Sequence, residues 1–362
     1  MKKILLSINI LIIFVQLVIF IFSYINPEQY PLLNLSAVVL PYLTVLSLLF
    51  IIAFTKASKG KMRLFNGIFI VFYLIILKQS YVFNFGQVSG EKANTVNLLS
   101  YNTSFFHVKN VFKPGYYLEE QNRTVGEISS YLINEAPEIV CLQEFFNDES
   151  SDFYNVISQF KRLGYHHYMK SNTQHDNGLE RGIITFSKFP IINKGIVAKS
   201  INRYNGAIFT DLRLNDGSIL RVVNVHLTSM ETKKSGVALL NNLRAFIYSF
   251  KQATADRLNQ MNQIDSLLES YEGKIIIAGD FNETPHSFLY KSFNDSFLNA
   301  HEEQGSGFGF TYPLNFLNLA LRIDNIFYSA DLEINTFETK SDIGFSDHYP
   351  IKAMFTLPPN SD

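Results

Sequence analysis

Twenty-two consecutive residues from Ile4 to Ile25 carry no charge, and no other feature narrows the architecture of the chain so much. At about 1.5 Å of helical rise per residue, such a run covers a hydrocarbon layer about 30 Å thick. A second uncharged run extends from Pro31 to Thr55. A third, charge-free from Leu64 to Leu77, ends at Lys78, whose long stem lets its ammonium reach an interface. We therefore expect a membrane anchor over residues 1–90, with hydrophobic segments at about 4–25, 31–55 and 62–85. A cleaved leader is the competing reading of the first segment. Its apolar stretch exceeds the usual roughly 7 to 15 residues, however, and no Ala-x-Ala site follows.

Charge sets the expected orientation. Lys2 and Lys3 precede the first segment, and Lys56, Lys59, Lys61 and Arg63 fill the loop between the second and third. Asn26-Pro27-Glu28-Gln29-Tyr30 holds no cation. Cation-rich loops stay in the cytoplasm, so the N-terminus is expected there. After three crossings, everything beyond about Val88 is expected outside the cytoplasm; a re-entrant third segment would reverse this.

Eight of the 31 Lys and Arg but only two of the 32 Asp and Glu precede Thr95. The remainder therefore holds 23 bases against 30 acids, a formal charge of −7. Such a domain lacks the broad positive field that drives sequence-independent nucleic-acid binding. The one cysteine, Cys141, lies in the run Ile139-Val140-Cys141-Leu142 and reads as a small core residue.

From Thr95 to about 358 the pattern is that of one domain. Apolar strand-like runs at 96–101, 138–143, 182–187, 207–214, 220–227, 274–279, 323–328 and 351–356 alternate with helical periodicity at 123–134, 153–163 and 236–271. Asn215-Asp216-Gly217 reads as a hairpin turn. Strands outnumber helices and the helices are dispersed, which suggests two sheets packed face to face with helices outside.

Polar side chains terminate many of these runs: Asn102, Glu144, His226, Asp280 with Asn282, Asp324, and Asp347-His348. Each alone has a plain explanation as turn or capping chemistry. Together they are eight carboxylate, amide and imidazole groups at six strand ends in apolar surroundings, where unpartnered polar groups are costly.

The ordered string Ser-Tyr-Asn102, Leu-Gln-Glu144, Asn-Val-His226-Leu, Gly-Asp280-Phe-Asn282, Arg-Ile-Asp324 and Ser-Asp347-His348-Tyr-Pro resembles the endonuclease/exonuclease/phosphatase superfamily. The resemblance implies a four-layer α-β-β-α sandwich of two packed mixed β-sheets with outer helices, here preceded by three transmembrane helices. It implies Mg²⁺ or Mn²⁺ held by Glu144, Asn102 and Asp347, an oxygen set that suits a hard cation. It further implies that Asp280 orients or deprotonates the attacking water and Asn282 donates to the phosphoryl oxygens. Asp324 would fix the His348 tautomer, and His226 would serve as a second transition-state donor or leaving-group acid. Arg181 is a further candidate substrate contact, with a surface ion pair as its alternative. His301, His175 and His166-His167 match no part of the motif string and read as surface or loop residues.

The family includes nucleases, lipid-directed phosphodiesterases and inositol polyphosphate phosphatases. The last carry tryptophan-containing motifs, and this chain has no Trp. The anchor and the acidic domain favour a phosphodiester at a surface, with the lipid bilayer as partner and a lipid head group or nucleic acid as substrate. A stretch with Val237, Leu239, Leu240, Leu243, Phe246, Ile247 and Phe250 forms an apolar face if helical, serving core packing, bilayer contact or a lid over the active site. The alternatives are a nuclease outside the cytoplasm and a non-catalytic, membrane-tethered binding protein.

Overall fold

The three apolar runs form helices α1 (Lys2–Ser23), α2 (Leu35–Ala57) and α3 (Lys61–Ser80), each long and apolar enough to cross a membrane. These come from a computed structural model that describes residues 2–57, 59–84, 94–108, 119–171, 178–200, 205–230, 239–314 and 319–357. The bundle is apolar outside, and inside it a cluster of Ile13, Leu40, Ile51, Tyr73 and Ile76 is interspersed with buried polar pairs. Leu11, Phe14, Leu46, Leu49 and Ile75 are exposed, while Asn9 donates to Asn66 at 3.0 Å and Gln16 to Thr44 at 2.6 Å in the interior. In hydrocarbon, apolar side chains gain nothing by leaving the surface, and interhelical hydrogen bonds add cohesion.

The chain divides into two compact units. The first takes in Met1–Phe83, Met230–Leu258 and Glu283–Phe293, and the second the remaining segments from Asn84 onward. Residues 230–258 and 283–293 thus group with the N-terminal helices.

In the second unit the first six-stranded sheet contains β1 (Thr95–Asn102), β2 (Ile139–Asp148), β3 (His166–Ser171), β4 (Leu179–Ser187), β13 (Glu333–Thr339) and β14 (Ile351–Thr356) in the order β13-β14-β1-β2-β4-β3. The other six-stranded sheet contains β5 (Ile191–Lys199), β6 (Gly206–Arg213), β7 (Ile219–His226), β8 (Lys274–Asp280), β9 (Leu298–Asn299) and β12 (Asp324–Tyr328) in the order β5-β6-β7-β8-β12-β9. A two-stranded ribbon pairs β10 (Tyr312–Pro313) with β11 (Ala320–Leu321). Each large sheet is mixed, with parallel pairs β1/β2 and β7/β8.

Period-two patterning sets which face is inward: β14 alternates buried Ile351, Ala353 and Phe355 with partly exposed Lys352, Met354 and Thr356. Those three join Val96, Leu98 and Cys141 from the same sheet, and Leu220, Val222, Ile276 and Ile326 from the other, in one core between the sheets. On the outer face of the first sheet, Leu99, Val140, Leu142 and Phe186 pack on Val125, Ile128 and Leu132 of α4 (Glu119–Glu135) and on Val156 and Phe160 of α5 (Val156–Arg162). The remaining helices are α6 (Leu239–Leu268), α7 (Phe288–Ser296) and α8 (Ala300–Gln304).

The expected apolar face of α6 is only partly realised: Phe250 is buried, but Leu243 is exposed. Val237 lies outside the described residues, as does His175. His301 is not a surface residue. It sits in α8 at 2% exposure, edge-on to Phe337 with ring centroids 5.5 Å apart.

Candidate active site

Sheet pairing alone puts three polar residues in a row. His226 ends β7, Asp280 ends β8 and Asp324 begins β12; Asp280 is the register partner of both His226 and Asp324. The close approach of β7 and β8 depends on Gly279, whose φ is 144°. A Cβ there would lie 1.9 Å from the Val225 carbonyl oxygen. From the other sheet, Asn102 at the end of β1 donates from Nδ2 to Asp280 Oδ2 at 3.0 Å, joining the two sheets at their edge.

Glu144 arrives by a bulge. The β2/β4 register shifts between Leu142 and Phe145, and Glu144 has a φ of 46°. Thr103 Oγ1 donates to the Glu144 carbonyl at 2.8 Å. Bulges re-aim side chains, and Glu144 Oε1 lies 3.6 Å from His226 Nε2. A left-handed backbone at a residue with a Cβ costs of order 1–3 kcal/mol and persists only where its surroundings impose it.

The remaining groups close the cluster. His348 Nδ1 is 2.8 Å from Asp324 Oδ2, and its Nε2 is 3.7 Å from Asp280 Oδ2. Asp280 Oδ1 accepts the Asn282 backbone N–H at 2.9 Å, and Asn282 Nδ2 donates to the Leu227 carbonyl at 3.0 Å. Ser346 Oγ lies 2.8 Å from the Asn102 carbonyl and 3.2 Å from Oδ1 of Asp347, which is exposed. Asn102, Glu144, His226, Asp280, Asn282, Asp324, Asp347 and His348 thus gather at one end of the sandwich.

Four carboxylates against two imidazoles make the site electron-rich. Burial, then the charge of Asp347, pushes the Glu144 carboxyl up to about 7. Burial, then Asp324, raises that of Asp280. Burial alone would depress His348, but Asp324, Asp280 and Asp347 outweigh it and lift the imidazole to about 10. His226 is the reverse: burial, then the positive field of His348, depresses it to about 3, and neither ring nitrogen has a hydrogen-bond partner.

Ligand atoms of Asp280, Asp324 and His348 all lie within 4.8 Å of one another, a spacing a metal ion would accept. With His348 wedged between two carboxylates as their cation, this trio reads as an ion-pair cluster. On the other side, Glu144 feels the charge of Asp347 more than the opposing charge of His348.

Arg181 takes a different direction. Its guanidinium lies 5.5 Å from the ring centroids of both Phe105 and Phe146, and Nη2 donates to the Val108 carbonyl at 3.0 Å; none of these partners belongs to the cluster.

Four contributors escaped the sequence reading. Tyr312 places its ring 4.8 Å from that of His348, and its phenol is raised by burial and then by Asp347, Asp280 and Glu144. Thr311 Oγ1 accepts the Asp324 N–H at 3.1 Å. Beneath the site, buried Gln143 donates from Nε2 to Asn224 Oδ1 at 2.7 Å across the two sheets. Gln143 and Asn224 stand inside the quoted motif pieces, so position alone could have flagged them. Tyr312 and Thr311 follow a Gly-Phe-Gly-Phe run that carries no comparable signal.

The model of the Endonuclease/Exonuclease/phosphatase family matches residues 99–348. Among curated proteins, the chain is similar to UPF0294 protein VP2298 of Vibrio parahaemolyticus, 25% identical over 252 residues covering 66% of this chain and 75% of that protein. It is also similar to the CCR4-Not complex 3'-5'-exoribonuclease subunit Ccr4 of Candida albicans, 24% identical over 347 residues. That match covers 75% of this chain but only 42% of the relative. Two solved structures share the fold at a TM-score of 0.50. One is an endonuclease/exonuclease/phosphatase family protein from Leptotrichia buccalis, at 12% identity and covering 71% of this chain and 98% of that one. The other is truncated TDP2 from Caenorhabditis elegans, at 17% identity and covering 74% and 100%. With one family model spanning residues 99–348 and its motif residues gathered at one site, the chain belongs to the endonuclease/exonuclease/phosphatase family.

Proposed function

We propose that the chain is a membrane-anchored hydrolase that cleaves a phosphodiester by direct attack of water, with Mg²⁺ or Mn²⁺ as cofactor. The observation that carries this reading is the meeting of Asn102 and Glu144 from one sheet with His226, Asp280 and Asp324 from the other. Members of the family are hydrolases of phosphoester bonds.

The donor set fits a hard cation. Glu144, Asp347 and Asn102 offer oxygens only, and burial and the charge of Asp347 raise the Glu144 carboxyl against the opposing pull of His348, a balance that a bound cation would relieve. Those three residues would hold the ion, which when bound polarises a phosphoryl oxygen and offsets developing negative charge.

The chain's own groups divide the remaining work. Asp280, oriented through both oxygens by Asn102 and Asn282, positions the attacking water and accepts its proton. The raised proton affinity of its carboxyl suits it to that task. His348, held by Asp324, donates from Nε2 to phosphoryl oxygens as charge grows on them. His226, buried, neutral and with both nitrogens unsatisfied, supports a role as an N–H donor to the same oxygens better than one as leaving-group acid. Asn282 keeps one amide N–H beyond the one given to Leu227 and can donate it to substrate.

The anchor and the −7 charge of the soluble part favour a phosphodiester held at the bilayer surface over free nucleic acid. The charge pattern around the helices favours a domain outside the cytoplasm. The exoribonuclease named among the relatives keeps nucleic acid as the second candidate. The test is release of product by the full chain in detergent from small phosphodiesters, choline phospholipids, DNA and RNA, with Mg²⁺ or with chelator. Chelator-sensitive turnover that falls by roughly 10²- to 10⁴-fold in Asp280→Asn is expected. No turnover on any arm would instead favour a tethered binding protein, and accessibility of the domain to protease on intact cells decides the side.

A further inference from the structure

The chain that leaves Asp280-Phe281-Asn282 enters a closely held segment of the first unit. Glu283 is 4% exposed, and its carboxylate is taken from two directions. Asn34 Nδ2 donates to Oε1 and Oε2 at 3.0 Å each, and Arg257 Nε donates to Oε1 at 2.7 Å. Further on, Gln79 Nε2 donates to the Pro285 carbonyl at 2.6 Å, and Ser80 Oγ lies 2.6 Å from His286 Nε2.

These partners share one end of the apolar bundle. Asn34 immediately precedes α2, and Gln79 and Ser80 close α3. The Tyr24 hydroxyl, just beyond α1, donates to Gln79 Oε1 at 3.0 Å. The ends of α2 and α3 opposite the cationic Lys56–Arg63 loop therefore meet residues 283–286, and the end of α1 is tied to them through Gln79.

A helix bundle that only tethers a domain has no need of buried polar contacts to the four residues after a catalytic turn. A buried carboxylate must be paired, and losing one of its donors loosens the backbone that carries it. The residue before Glu283 is also the one least able to tolerate slack: Asn282 holds a φ of 51°, and its N–H fixes Asp280 Oδ1. Strained turns of this kind keep their geometry only when both flanks are fixed.

We propose that the membrane helices are a working part of the phosphoesterase, with Asn34, Ser80, Glu283 and His286 acting as positioning residues for the Asp280-Phe281-Asn282 turn. The proposal rests on the phosphodiester reading above. None of the four touches the reacting atoms; they act through the backbone that presents Asp280 and Asn282.

The test compares Asn34→Ala and Ser80→Ala with Asn9→Ala in the full chain in detergent, using bis(p-nitrophenyl) phosphate and Mg²⁺. Asn9→Ala removes a buried bundle hydrogen bond of the same type, to Asn66, and serves as the control for a purely structural effect. In Asn34→Ala, kcat is expected to fall about tenfold with KM unchanged, and amide exchange in a peptide covering 281–288 to accelerate about tenfold. Asn9→Ala is expected to lower the melting temperature comparably and to change neither readout. Parental kcat, or parental exchange at 281–288, in both Asn34→Ala and Ser80→Ala overturns the proposal. Absence of turnover in the parent sinks the phosphodiester reading alone, and the exchange measurement still decides whether the helices hold the turn.

Discussion

Glu144 concentrates two costs in one residue: a left-handed backbone that its side chain disfavours, and a carboxyl that burial and Asp347 push up to about 7. Both are relieved by Glu144→Gly, since glycine adopts positive φ without steric penalty and carries no charge. That variant is therefore expected to melt a few degrees higher in metal-free buffer, while losing turnover and the rise in melting temperature that Mg²⁺ gives the parent by binding the folded state. A lower melting temperature for Glu144→Gly without metal would contradict the strain argument. Tyr312 invites a different change. Its ring lies beside His348 without touching the carboxylates through a hydrogen bond, so Tyr312→Ala should raise KM by roughly 2- to 13-fold, the ~0.5–1.5 kcal/mol range of a lost aromatic contact, with a smaller effect on kcat. Steady-state kinetics on one substrate decide this.

At the scale of elements, the interior strands were legible and the rims were not. β1, β2, β4, β6, β7, β8, β12 and β14 appear close to where hydrophobic runs put them, because strands covered on both faces read as apolar sequence. β3, β5, β9 and β13, which the reading passed over, are the four edge strands. Edges carry polar and charged residues to discourage pairing with other chains: β3 reads His166-His167-Tyr168-Met169-Lys170-Ser171, and β5 exposes Asn193 and Lys194. The site was legible through the motif string, whereas Tyr312 and Thr311 sit on a short ribbon and its approach that no periodicity announces. The Gln143 and Asn224 bridge lies between the two: both residues stand inside apolar strands, yet only the packed sheets reveal that they bond to each other. Asn224→Leu would strand the Gln143 amide in the core, and a loss of about 1–3 kcal/mol in chemical denaturation is expected.

For the molecule as a whole, acid sensitivity follows from burial. Burial, then Arg322, depresses His301 to about 2. A histidine whose folded value lies below its unfolded one stays neutral in the native state while the unfolded chain takes up a proton. The stability this residue allows is thus present above about pH 6.5 and drains away as the pH falls toward its folded value. His301→Gln should flatten the dependence of melting temperature on pH between 6.5 and 4, and an unchanged slope would show that other groups govern it.

The long helix α6 begins among residues that group with the N-terminal helices and ends among those that group with the sheets. A fragment cut near residue 91 to obtain the hydrolytic part alone would remove the helices with which residues 230–258 and 283–293 group, Phe250, Leu289 and Tyr290 among them, each at most 3% exposed in the intact protein. Such a truncate should clump in aqueous buffer, while the uncut chain stays monodisperse in mild surfactant, a contrast that size-exclusion chromatography reads directly. An assay of this chain therefore calls for its greasy N-terminal quarter to stay attached.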